Sequence, residues 1–294
     1  MLKFSLLASL LMVLYLISIL LISIKNSLIF KQFCVKLHWK NWFFILCISY
    51  GFQYLTFFSG TQVVVRASLL KKLYNIAVSK TLIATSAEFI YNLIMYCLSF
   101  LIAVNVVSLS YPNLSFLNLI VVLMILISGL FFVMLRYSQV FIFLKNLLPL
   151  KLWKRLNIFE KMIETFIQEC SGSKITLKSL LPIFLILLMI SILNGLWMWV
   201  CSLLVGAKIS FIQAYAVFWI PFLLGKLSRI PLGLGVNDIS MYFLLDLLGV
   251  ASPLALSMVL IFRLFFFIIT VSLGFIFFMK GRYFRLIYSK SGIS

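Results

Sequence analysis

Between Glu88 and Arg136 the chain carries no Asp, Glu, Lys or Arg. A water-soluble fold cannot cover an uncharged stretch of that length, because its surface must face water. Only a bilayer accommodates such runs, and there are several. Phe4 to Ile24, Ser179 to Ala207 and Pro253 to Met279 are equally apolar, the last interrupted only by Arg263. About 20 apolar residues suffice to cross the hydrocarbon core. The turn-rich link Ser108-Leu-Ser-Tyr-Pro-Asn-Leu-Ser115 divides the first run into spans of about Ser79 to Leu109 and Phe116 to Leu135. The sequence therefore predicts five long spans. Phe4 to Ile24 is too long for a signal-peptide core and is read as a retained span.

Composition agrees: 64% of the 294 residues are hydrophobic and 11% are charged. Soluble domains run nearer 45–50% and about 25%. The net charge of +19 fits an anionic membrane face better than nucleic acid, since Lys and Arg concentrate in cytoplasmic loops. The segment Arg136 to Lys178 carries eight Lys and Arg, whereas the Ser108–Ser115 link carries none. The first is thus expected inside and the second outside. On that count the basic tail 280–294 lies in the cytoplasm.

Metal and nucleophile chemistry has little to work with. The five cysteines are scattered without a Cys-x-x-Cys pair, and His38 is the one histidine. No disulfide framework, metal cluster or cofactor is expected. The face Leu156, Phe159, Met162, Ile163, Phe166 and Ile167, with Glu160, Lys161 and Glu164 opposite, predicts a cytoplasmic amphipathic helix over Leu156 to Glu169.

Two segments do not fit the alternation of sides. Asn41 to Lys72 has Lys25, Lys31, Lys36 and Lys40 before it and Arg66, Lys71 and Lys72 at its end, so both flanks read as cytoplasmic. A re-entrant hairpin turning near Gly60 accounts for this; a full span with one basic flank outside is the alternative. Ile209 to Gly249 starts and ends outside, with a Pro/Gly-rich centre, and reads as a second hairpin. Irregular backbone at membrane depth survives only where protein or a cavity covers it.

Shifting the chain by about 174 residues lays Phe4–Ile24 on the run from Ser179, the first hairpin on the second, and Ser79–Leu109 on Pro253–Met279. The copies enter from opposite faces. The expected architecture is an all-α polytopic membrane protein in a single domain, 1–294. It comprises repeat one (1–109), a linking span and amphipathic segment (110–178), an inverted repeat two (179–279) and the tail. Inverted repeats with broken helices are a common transporter build.

Ionisable side chains inside spans cost roughly 2.5–3.5 kcal/mol at the helix centre and so mark candidate sites. Glu88 and Arg263 lie nine and ten residues into corresponding helices, roughly 14 to 15 Å deep at 1.5 Å per residue. That depth allows them to meet. Lys226, Arg229, Asp238 and Asp246 surround the second turn. Arg229 suits a phosphate, with Asp238 holding it when no ligand is bound. A purely structural ion pair remains open.

These residues carry a resemblance. Arg229-Ile-Pro-Leu-Gly-Leu-Gly-Val-Asn-Asp238, then Leu248-Gly-Val250, Ala255-Leu256, Arg263 and Gly274 resemble the flippase-like transmembrane region of lysylphosphatidylglycerol synthases and their stand-alone relatives. That family reads approximately Ile-Pro-Gly-Gly-Leu-Gly-Val-Arg-Glu, then Gly-Val, then an intramembrane Arg. In the first half Gly60, Arg66 and Glu88 match a Gly-containing turn, an Arg and a Glu-Arg-x-x-Asp motif. Ser59, Phe89, Asn92, Leu232 and Asn237-Asp238 depart from the pattern.

The resemblance implies a lipid flippase-like transporter of the cytoplasmic (inner) membrane handling an anionic lipid or polyprenyl-phosphate headgroup. Arg229, Arg263 and Lys226 would attract the headgroup, with Asp238, Glu88 and Arg66 completing the site. The alternative is a non-catalytic membrane partner that presents lipid to a separate glycosyl- or aminoacyl-transferase. Lysyl-transferring relatives carry a large soluble domain after the membrane region, and this chain ends 15 residues after its last span. An enzyme is therefore not expected.

Overall fold

The computed structural model describes residues 2–108, 177–228 and 230–290. Eight α-helices occur among them: α1 Leu2–Gln32, α2 Trp39–Thr56, α3 Ser59–Tyr74, α4 Val78–Ser108, α5 Leu177–Val205, α6 Phe211–Leu227, α7 Val236–Leu247 and α8 Ser252–Lys290. The 3₁₀ turn Pro231–Gly233 joins α6 to α7. Four segments are long and apolar enough to cross a membrane: Phe4–Gln32, Val78–Ser108, Lys178–Val205 and Ser252–Lys280. They coincide with four of the five spans read from the uncharged runs. Phe116–Leu135 and the amphipathic segment Leu156–Glu169 lie outside the described residues.

The helix ends follow local chemistry. α1 closes on left-handed Cys34 (φ 61), with the Val35 N–H donating to Phe30 O at 3.0 Å, a Schellman-type stop. α2 begins at His38, whose Nδ1 accepts from the Lys40 N–H. α6 opens with a capping box, Gln213 N–H to Ser210 Oγ and Ser210 N–H to Gln213 Oε1. Each cap satisfies orphan backbone groups where the chain turns.

Helix–turn–helix units stand where the two hairpins are expected, α2–α3 and α6–α7. The first turn falls earlier than Gly60. Left-handed Phe57 (φ 52) makes it, and Gly60 sits inside α3, where a Cβ would meet the Phe58 ring. Gly60 thus makes room for that ring and does not form the turn.

Helix contacts pair off between the two halves. α2 packs on α8 and α6 packs on α4, while α1 packs on α5. Exchanging α1–α4 for α5–α8 leaves that pattern unchanged. The α2–α8 crossing is very close: a Cβ built on Gly51 would lie 2.7 Å from Gly274 Cα, and one on Gly274 2.6 Å from Gly51 Cα. Neither backbone has a flexible end to yield. Gly51→Ala or Gly274→Ala should therefore lower stability by about 1–3 kcal/mol, read as a fall in melting temperature of the detergent-purified protein.

Aromatic side chains fill the interior. Tyr15, Trp197, Phe262 and Phe266 form one group, and the Tyr15 hydroxyl bonds Thr270 Oγ1. Trp42 packs at a tilt against Phe30, 4.3 Å between centroids. Leu185, Leu188, Leu264, Ile268 and Phe275 face outward, as spans surrounded by lipid require. The chain is a multi-pass α-helical membrane protein.

Candidate functional site

Among the described residues the ion pairs fall into two separate groups. In the first, Glu88 of α4 accepts from Lys25 of α1 (Nζ–Oε1 3.1 Å) and from Arg66 Nη1 of α3. Lys25 Nζ also donates to Asn92 Oδ1 at 2.9 Å. Lys25 and Arg66 are only 3% and 2% exposed. One carboxylate thus ties three helices together in a sealed interior.

Two expectations are corrected here. Lys25 reads as a basic flank because three polar residues, Lys25, Asn26 and Ser27, end the first uncharged run. In the structure the helix continues through them to Gln32, and Glu88 draws the ammonium inside. Arg66, read also as part of a basic flank, is buried for the same reason. Glu88 does not meet Arg263, since each is taken by another partner. Equal depth places residues on one level of the membrane but says nothing about which way each helix face points.

The second group lines a cavity of about 910 Å³ bounded by α2, α6, the 3₁₀ turn, α7 and α8. Arg263 grips Asp238 with a fork: Nε donates to Oδ1, and Nη2 to Oδ2 at 3.0 Å. Asp238 Oδ2 also accepts the Gly235 N–H at 3.1 Å, capping α7. The one carboxylate therefore fixes both the turn and the guanidinium. Asp238 holds Arg263; Arg229, which the sequence also sets against Asp238, lies outside the described residues. Lys226 lines the cavity with its Nζ 5.3 Å from the Phe222 ring centroid and has no ion-pair partner among the described residues. Asp246 is exposed on α7 and is not part of the lining.

Lys226, Asp238 and Arg263 are thus brought together, whereas Glu88 and Arg66 are not in the cavity wall. Gln53 and Tyr54 of α2 are lining residues that sequence reasoning missed. They arrive from the other half of the chain through the α2–α8 crossing. The signal was present as polar side chains in an apolar helix, but only packing shows where they point.

Most of the remaining wall is apolar. Ile239 and Phe243 of α7 and Leu260 of α8 line the cavity yet are 58%, 64% and 53% exposed on the outer surface. The cavity therefore reaches the apolar outer surface of α7 and α8. Its charged groups and its apolar opening together match an amphiphile better than a free ion, because a small anion gains nothing from the apolar walls.

The turn is conformationally demanding. Leu232, Gly233 and Gly235 all have positive φ (54°, 64° and 79°). A Cβ on Gly225 would come within 1.7 Å of Asn237 Oδ1, so that glycine seats Asn237. Leu232 bears left-handed strain at a non-glycine residue. Leu232→Val should cost about 1–2 kcal/mol of stability, since a β-branched residue resists this region most, while Leu232→Gly should be tolerated. Thermal unfolding of both variants in one detergent checks this.

The fold and this site define a multi-pass membrane protein with a charged cavity that reaches the apolar outer surface of α7 and α8. Residues 3–274 match the family model for the lysylphosphatidylglycerol synthase TM region. The chain belongs to that family, whose context is lipid-related. No curated protein and no solved structure matches it.

Proposed function

We propose that this protein is a lipid flippase-like transporter that takes an anionic headgroup, of a phospholipid or a polyprenyl phosphate, into the cavity between α2, α6, α7 and α8. The observation that carries this reading is the pairing of Lys226 and the Arg263–Asp238 fork with an opening lined by exposed Ile239, Phe243 and Leu260. The headgroup meets the cations while its chains stay in lipid. Lys226, without an ion-pair partner among the described residues, attracts the headgroup. Arg263 is already oriented by Asp238, and a phosphate offers it the same bidentate geometry as the carboxylate.

The exchangeable contact pattern of the two halves supports an inverted repeat, with α2–α3 and α6–α7 as re-entrant hairpins around the site. Glu88, Lys25 and Arg66 then act as the fixed brace of the first half. On the charge distribution, the basic end of the chain, 280–294, faces the cytoplasm.

Reconstitution tests the proposal. Proteoliposomes containing headgroup-labelled anionic lipids should show faster transbilayer movement than empty liposomes, and zwitterionic lipid should move more slowly. Equal movement in loaded and empty liposomes for every anionic lipid would refute it.

A further inference from the structure

A second cavity, of about 390 Å³, lies at one end of the molecule and shares no lining residue with the first. It sits between the α1–α2 and α3–α4 connections. Both connections are built the same way. Left-handed Cys34 (φ 61) and Asn75 (φ 52) end their helices, and the next N–H reaches back along the helix, Val35 to Phe30 O at 3.0 Å and Ile76 to Leu70 O at 3.2 Å. Ser27 Oγ fixes the first connection further through Leu37 O at 2.7 Å. The inner side chains join one apolar cluster with Leu70 and Trp42. The walls are therefore set by capping and core packing, not by loose loops.

Lys36 on the α1–α2 connection and Lys80 in the first turn of α4 stand exposed, and Asn75 and Tyr74 share the lining with them. Among the described residues no Asp or Glu lines this cleft. Trp39, with Lys40 Nζ 5.7 Å from its ring centroid, and Tyr74 mark this end as headgroup level, where amphipathic aromatics gather. The cleft joins two cations, an amide and an aromatic wall where the apolar helix Phe4–Gln32 ends and Val78–Ser108 begins.

We propose that this cleft is a phosphate-recognition site for an anionic phospholipid of the leaflet it faces, held at the surface and not transported. Lys36 and Lys80 grip the phosphate from both sides, so the lipid ties the α1–α2 connection to the start of α4. None of the central cavity's residues takes part, so this site stands whether or not the central cavity moves lipid.

Native mass spectrometry of the full chain, released from detergent containing phosphatidylglycerol or phosphatidylcholine, tests it. The wild type should retain phosphatidylglycerol selectively. Lys36→Gln/Lys80→Gln should weaken that retention roughly tenfold, whereas Lys40→Gln/Lys72→Gln, with the same loss of charge, should change it less than about twofold. Lys36→Arg/Lys80→Arg should restore retention, which separates lost recognition from misfolding. Equal loss in both glutamine pairs, or equal retention of phosphatidylcholine, would overturn the assignment. Displacement of the lipid by excess inorganic phosphate would overturn the lipid as the source.

Discussion

Glu88→Gln is expected to lose about 3–5 kcal/mol of stability, more than neutralising any other single charge within these helices. The cost comes from what remains behind. Lys25 and Arg66 are nearly inaccessible, and Glu88 is the carboxylate that neutralises both. A glutamine keeps the shape and one acceptor but leaves two buried cations facing each other, and breaking a buried pair from one side costs far more than removing it entirely. Lys25→Met should therefore be much milder in the Glu88→Gln background than in the wild type, because it removes one of the stranded charges. Thermal unfolding of the two singles and the double measures this coupling. Additive losses would mean that the three side chains do not act as one brace.

The second large effect concerns transport. Arg263→Gln should reduce movement of anionic lipid at least tenfold, equivalent to about 1.4 kcal/mol or more. Its stability should fall less than that of Glu88→Gln, since Arg263 and Asp238 are about one quarter exposed whereas Lys25 and Arg66 are sealed in, where a stranded charge costs most. Asp238→Asn/Arg263→Gln separates the roles. Neutralising both members leaves no stranded charge, and the asparagine can still cap Gly235. The double variant should fold and fail to transport. A double variant that transports at the wild-type rate would make the fork a structural pair only.

The fold was legible in proportion to how far it rests on solvation. Uncharged runs of span length locate α1, α4, α5 and α8 without any tertiary information, because lipid admits little else. Pro and Gly around Pro231–Gly235 locate the second turn, because positive φ there favours glycine. The first turn was misplaced by a glycine that serves packing, and the residue that turns is Phe57, whose side chain gives no such warning.

The site was less legible for a related reason. Charge in an apolar run reveals depth, so Glu88, Asp238 and Arg263 stood out, but partnership depends on helix rotation and on which helices cross. Lys25 was hidden among flanking lysines. Gln53 and Tyr54 belong to the cavity only because Gly51 and Gly274 let α2 and α8 touch.

The central claim is that the cavity holding Lys226, Asp238 and Arg263 handles an anionic lipid headgroup. Its most direct test is a quench of outer-leaflet fluorescence in liposomes carrying a headgroup-labelled anionic phospholipid. With the wild type, signal should continue to fall well past the roughly half accessible at the start. With Asp238→Asn/Arg263→Gln, verified as folded, it should stop at that level. A wild type that stops there as well would contradict lipid handling by this cavity.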